Sequence, residues 1–111
     1  MKLPNGYKAQ LGDKLERYSL NLEHPRGKHK AIMFRARLGI SRENKEVLEN
    51  ALLQAAVNNE ATIYREDKYG TYYDIKFLMT TEIGTSWILS CWIIRADEDF
   101  PRLTNTYPVD K

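Results

Sequence analysis

Between Thr71 and Thr80 apolar and polar residues alternate, with Tyr73, Ile75, Phe77 and Met79 on one side and Tyr72, Asp74 and Lys76 on the other. A period of two is that of a strand with one buried face, and it excludes an amphipathic helix over the same stretch. Glu82-Ile83-Gly84 then supplies turn chemistry, and Thr85–Arg95 follows as a second strand. A connection this short allows only antiparallel pairing. The second strand is apolar on both faces, Trp87, Leu89 and Ile93 on one and Ile88, Trp92 and Ile94 on the other. Such a strand is either covered on both sides or has a second face that lines a site. Ala61–Glu66, before the turn Asp67-Lys68-Tyr69-Gly70, and Arg102–Tyr107, after the acidic loop Ala96–Phe100, complete a meander of four strands.

Upstream the period changes. Leu3–Leu11 reads as an irregular or strand-like lead-in with turn chemistry at Pro4-Asn5-Gly6. Asp13 is placed to cap a short helix through about Leu20, and Asn21–Gly27, with Pro25 and Gly27, reads as a loop. Lys28–Leu38 carries Ala31, Phe34 and Leu38 as an apolar stripe and is stopped by Gly39. Ser41 is placed to cap a third helix, with Glu43 in its first turn and Val47, Leu48, Ala51, Leu52, Ala55 and Ala56 as its buried stripe. The expectation is an α+β fold, with N-terminal helices packed on one face of a roughly four-stranded antiparallel sheet. At 111 residues the chain fits one domain, 1–111, with a helical half over about 12–58 and a meander over about 61–107.

Several function classes fall away. No apolar run approaches the ~20 residues of a membrane span. Met1-Lys2-Leu3-Pro4-Asn5-Gly6 lacks the apolar segment of an export signal, so the expected location is the cytoplasm and no membrane partner is expected. One cysteine, Cys91, cannot form an internal disulfide or a zinc cluster, and inside an apolar strand it reads as a buried thiol. The two histidines, His24 and His29, have only basic neighbours, which argues against a metal site. With no glycine-rich phosphate loop and no dinucleotide fingerprint, no cofactor is expected.

Charge is distributed unevenly. The net charge is +2, yet His24–Arg37 holds Arg26, Lys28, Lys30, Arg35 and Arg37 with no acid, which leaves the rest of the chain at −3. A basic segment on a near-neutral chain marks either a polyanion site or a solvated helix face. Within it, His24-Pro25-Arg26-Gly27-Lys28-His29-Lys30 joins a loop to a helix N-terminus, where free amides and the dipole favour phosphate. Histidine moves protons near neutral pH, and Lys30 can reach over the apolar stripe. A second stretch, Arg102-Leu103-Thr104-Asn105-Thr106-Tyr107, alternates so that Arg102, Thr104 and Thr106 share one face. Arginine and threonine there can hold a phosphate, and Tyr107 can stack a base or assist proton transfer. These readings name His24, Lys30, Arg102, Thr104 and Tyr107 as catalytic candidates, and Arg26, Lys28, Asp74 and Trp92 as substrate-binding ones. Plain structural roles stand beside them. His24 can hold its loop by a backbone hydrogen bond, Lys28 and His29 can be solvated, Tyr107 can close the core, and Asp74 can partner a cross-strand lysine.

The segments His24-Pro25-x-Gly27-x-x-Lys30-Ala31, Phe34, Leu38-Gly39, Tyr69-Gly70, Trp92-Ile93-Ile94, Pro101-Arg102-Leu103-Thr104 and Tyr107 resemble a small uncharacterised bacterial domain family. That family occurs alone and at the C-termini of polymorphic toxins, and the resemblance runs from Lys2 to Tyr107. Relatives often carry arginine where this chain has Leu89. The order of elements is more loosely similar to the barnase/EndoU/RelE-like ribonuclease toxins, a similarity at the level of fold.

The resemblance implies a metal-independent endoribonuclease toxin of a toxin–antitoxin or polymorphic type, with RNA as substrate and a small cognate antitoxin-like protein as partner. His24 would act as acid or base, Lys30 and Arg102 would stabilise phosphoryl charge, Thr104 would orient the phosphate, and Tyr107 would assist. The rival expectation is a non-catalytic protein-binding module, or the partner protein of such a pair, adding Arg102–Tyr107 as an exposed edge to another sheet. An enzyme acting on a small phosphorylated substrate would use the same residues.

Overall fold

The computed structural model describes residues 1–111. Two helices, α1 (Lys28–Leu38) and α2 (Lys45–Asn58), precede four strands: β1 (Thr62–Asp67), β2 (Gly70–Thr80), β3 (Thr85–Arg95) and β4 (Pro101–Val109). The strands form one antiparallel sheet in the order β1-β2-β3-β4. This is the α+β architecture expected from the change of period. No helix is long and apolar enough to cross a membrane.

The central hairpin fixes the sheet. β2 and β3 pair over their full length, from Gly70 opposite Arg95 to Thr80 opposite Thr85. One face of it, Tyr73, Ile75, Phe77 and Met79 with Ile88 and Trp92, is buried, and it packs with Phe34 and Leu38 of α1 and Leu48 and Leu52 of α2 in one cluster of 18 residues. The amphipathic alternation of β2 thus selects the face that the helices cover. The opposite face, which carries Tyr72, Asp74, Lys76, Trp87, Leu89 and Cys91, contributes nothing to that cluster.

Local chemistry explains the helix ends. Gly39, at φ 66°, takes the left-handed conformation that ends α1, and its amide donates to the Arg35 carbonyl at 3.0 Å. Ser41 does not start α2 directly. A 3-10 turn, Arg42–Asn44, comes first, and the Ser41 amide donates to Asn44 Oδ1 at 2.8 Å. Val47, expected in the buried stripe, is 39% exposed. Ahead of α1, the expected Asp13–Leu20 helix is only a π-helical turn, Leu15–Ser19, in which the Leu20 amide donates to the Leu15 carbonyl at 2.7 Å. The lead-in is a 3-10 turn, Gly6–Lys8, flanked by single bridges from Lys2 to Glu60 and from Gln10 to Arg102.

β4 also departs from expectation. Cys91 faces Asn105 and Trp92 faces Leu103, so Thr104 is bulged out of the ladder. The simple alternation that groups Arg102, Thr104 and Thr106 is broken there. Leu103 and Thr106 both turn to the buried face, while Asn105 and Tyr107 pair with Cys91 and Leu89 on the other.

Phe34 is fully buried at the centre of the core, whereas Ile32, two residues earlier, is 45% exposed. Phe34→Ala should lower unfolding stability by about 3–5 kcal/mol. Ile32→Ala should change it by about 0.5 kcal/mol or less. Thermal unfolding of the two variants checks the assignment of the α1 face.

Candidate functional site

α1 lies along β4, the edge of the sheet, so a long side chain near its start can reach past that edge. Lys30 does so. Its Nζ donates to Asn105 Oδ1 at 3.1 Å and to the Tyr18 hydroxyl at 3.4 Å. It also sits over two rings, 4.5 Å from the centroid of Tyr18 and 5.0 Å from that of Tyr107. Eight ion pairs occur in the molecule and none includes Lys30. A part-buried ammonium held by π faces and neutral oxygens keeps its charge uncompensated.

His24 is drawn to the same place. Its ring packs edge-on against Tyr18, with centroids 4.6 Å apart. Its Nδ1 accepts the amides of Arg26 and Gly27, both at 3.0 Å, and its carbonyl accepts the Lys28 amide at 2.9 Å. His24 therefore closes the loop that leads into α1, the backbone-holding role named for it. An Nδ1 used as an acceptor leaves the proton of the neutral ring on Nε2, which makes that atom a donor and not a base. Gly27 permits this packing, since a Cβ there would lie 2.1 Å from the Tyr18 carbonyl oxygen. The π-helical turn sets Tyr18, and Tyr18 joins His24 to Lys30.

Beneath Lys30 the uncovered face is lined by Asn105, Cys91 and Asp74, which lie side by side on three strands. Burial, with the Asp74 carboxylate beside it, pushes the Cys91 thiol up to about 12, so it stays protonated and unreactive. One Asp74 oxygen, Oδ1, is buried with no hydrogen-bond partner. Burial also raises the Tyr107 phenol, which remains a hydrogen-bond donor across the physiological range.

His24, Lys30, Tyr107 and Asp74 thus fall in one region, and three expectations need correction. Arg102 is not free to hold a phosphate. Its Nε and Nη2 donate to both Glu98 carboxylate oxygens at 2.8 and 2.7 Å, and its guanidinium stacks 4.8 Å from the Phe100 ring. That bidentate contact is also what holds the Glu98 carboxyl below its usual range. Thr104 closes the bulge by donating to the Cys91 carbonyl at 3.1 Å. Trp92 is fully buried on the helix side, its indole N–H donating to Ser90 Oγ at 2.9 Å, so no substrate meets it. Arg26 and Lys28 are exposed beside His24 and form no ion pair.

Tyr18 and Asn105 were not singled out from the sequence. Their signal was indirect, since a polar residue next to a bulge and a tyrosine in a single π-helical turn carry no motif. A groove of about 600 Å³ lies elsewhere, between Leu22, Arg35, Ile40 and Arg42, and neither Lys30 nor the side chains around it line it. No three His, Cys, Asp or Glu side chains converge as a metal site would require.

The fold is therefore that of a small α+β domain whose helices cover one sheet face and whose polar cluster straddles the β4 edge. The chain belongs to the family described as a domain of unknown function (DUF6883), which it matches over residues 2–110. No curated protein matches it in sequence. Among solved structures, it is similar to a chain of a contact-dependent growth inhibition toxin–immunity protein complex from Klebsiella pneumoniae 342. That likeness has a TM-score of 0.68 at 19% identity and covers 92% of this chain and 99% of the other.

The raised Cys91 value carries a sign. A thiol that ionises near 8.5 when unfolded and near 12 when folded favours the folded state fully below that lower value. That contribution is lost as pH climbs from about 8.5 towards 12. Wild-type stability should fall over this range, and Cys91→Ala should fall less. Denaturant titrations at pH 8 and pH 10.5 compare them, and alkylation of native Cys91 at pH 8 should be slow until the protein is unfolded.

Proposed function

We propose that the chain is an endoribonuclease toxin that works without a metal, with the Lys30 cluster as its active site. The observation that carries the reading is Lys30 itself, a part-buried cation between two tyrosine rings with no carboxylate to neutralise it. Such a group is prepared for an anion that arrives from solution, and phosphoryl oxygens gain charge as the backbone is cut. Arg26 and Lys28, which form no ion pairs, extend a basic track along the same segment and would hold the flanking phosphates.

In this reaction a ribose 2′-oxygen bonds to the adjacent phosphorus and the bond to the 5′-oxygen breaks. The 2′-hydroxyl gives its proton to water and the 5′-oxygen takes one from water at the open edge, which leaves a cyclic phosphate and a 5′-hydroxyl. Lys30 offers its remaining N–H to a phosphoryl oxygen, while Asn105 and Tyr18 hold it in place. Tyr107, kept protonated, donates alongside it, and His24 donates from Nε2. Arg102 and Thr104, expected in these roles from the sequence, are replaced by Tyr18 and Asn105.

A cognate neutralising protein belongs to the proposal, and the fold shared with a chain of a toxin–immunity complex supports it. The rival reading, a non-catalytic partner module, finds support at a different strand from the one expected. The start of β4 is occupied, since the Gln10 amide donates to the Pro101 carbonyl and the Leu103 amide donates to the Gln10 carbonyl, both at 2.9 Å. β1 is the exposed edge, and Ile63 and Tyr64 are open to solvent on it.

The test is purified protein with total bacterial RNA in EDTA, followed by analysis of fragment ends. Lys30→Ala should slow cleavage by about 10²–10³-fold. His24→Asn keeps an acceptor for the Arg26 and Gly27 amides and removes Nε2, and it should slow cleavage about 10²-fold. Wild-type rates in that variant would take histidine out of the scheme, and intact RNA with folded wild-type protein would overturn the reading.

A further inference from the structure

On the uncovered face, at the far edge of the sheet from Lys30, a second arrangement lies outside the buried core. β1 and β2 slip register between Ile63 and Arg65, which leaves Tyr64 bulged. The slip turns Tyr64 and Arg65 to the same side, where Tyr64 packs against Tyr72 at 5.9 Å between centroids. The Arg65 guanidinium lies 5.0 Å from the Tyr72 ring and is held by Asp67 at 2.8 Å. Tyr64 is 49% exposed although it is aromatic and sits on an edge strand, a place where natural sheets avoid open apolar surface.

We propose that Tyr64, with Tyr72 and Arg65 behind it, is a stacking platform for an unpaired base of single-stranded RNA whose backbone runs on across the sheet to Lys30. The inference rests on the endoribonuclease reading and names the form of its substrate. Three strand spacings, about 14 Å, separate β1 from β4, a span that a few nucleotides of an extended strand can bridge. Between platform and lysine lie Asp74 on β2 and Cys91 on β3, paired across the ladder and continued by Asn105 on β4. Lys76 is exposed on this face without a carboxylate partner, as Lys30 is, while Asp67 is taken by Arg65 and Asp74 is half-buried with its Oδ1 unpaired. A phosphate backbone complements that pattern. A duplex does not, because its bases stack on each other and offer no open face to an aromatic ring on a sheet.

The experiment uses a short 2′-O-methyl oligoribonucleotide, which lacks the attacking hydroxyl, alone and annealed to its complement. Binding to the full chain is followed by fluorescence anisotropy across a salt series. Wild type should favour the single strand, and Tyr64→Ala should weaken binding about tenfold or more. Tyr64→Phe, which keeps the ring, should bind as wild type, and the salt dependence of Tyr64→Ala should match wild type because no charge is removed. Equal binding by folded Tyr64→Ala and wild type, or a preference for the duplex, overturns the platform. If unmodified RNA is cut but Tyr64 is indifferent, the platform falls and the nuclease stands. If the oligonucleotide binds through Tyr64 and unmodified RNA stays intact, the nuclease falls and the platform stands. No binding in any form, with Tyr64 needed instead to hold a protein partner, overturns both.

Discussion

The β3–β4 ladder slips by one residue at Thr104, and both faces of the sheet depend on that slip. Without it, Leu103 and Asn105 would point the same way, and either the amide would enter the core or the leucine would leave it. With it, Leu103 meets Trp92 in the core while Asn105 turns to Cys91 and receives Lys30. Thr104 makes the slip affordable because its hydroxyl satisfies the Cys91 carbonyl that the bulge would otherwise leave open. Thr106 repeats the device one step on, donating to the Leu89 carbonyl at 2.9 Å from a fully buried position. Hydroxyls thus stand in for ladder hydrogen bonds where the strand bends, and the bend is what aims the polar cluster.

Lys30 and Arg102 show how differently two cations of the same chain are used. Arginine presents a planar fork that suits a carboxylate, and Arg102 spends that geometry on Glu98, which ties the acidic loop to β4. Lysine is a compact charge on a flexible stem, and Lys30 is held by rings and an amide that leave the charge in place. A carboxylate partner would have cancelled the charge there. The structure therefore places its ion pairs away from the cluster and its neutral donors and π faces within it.

The secondary structure was largely legible in the sequence because its periods are clean. Tyr73, Ile75, Phe77 and Met79 announce a strand with a single buried side, and Ala31, Phe34 and Leu38 followed by Gly39 announce α1 and its end. The candidate cluster was legible in part. His24, Lys30, Tyr107 and Asp74 drew attention by residue type, since each brings charge or a titratable group next to a structural boundary, and the structure brings them into one region. Arg102, Thr104 and Trp92 misled because side-chain chemistry does not reveal a local competitor. Glu98 lies four residues from Arg102, the Thr104 hydroxyl has a carbonyl within reach, and Ser90 waits for the Trp92 indole. A pattern of strict alternation also hides a bulge, which changes the face of every residue beyond it.

Tyr18 was illegible for a different reason. Its place depends on a π-helical turn, and that turn depends on contacts distant in sequence: Gly27 packed on the Tyr18 carbonyl, and His24 and Lys30 against its ring. An α-helical continuation would have satisfied the backbone as well, so local propensity does not select the π form. What selects it is tertiary: the loop closed by His24 must seat α1 so that Lys30 reaches the β4 edge. The His24 loop, the π turn and the bulge are three departures from regular structure, and together they set the Tyr18 and Asn105 side chains that hold one ammonium group. Regular elements build the core of this chain, and its irregular ones converge on Lys30.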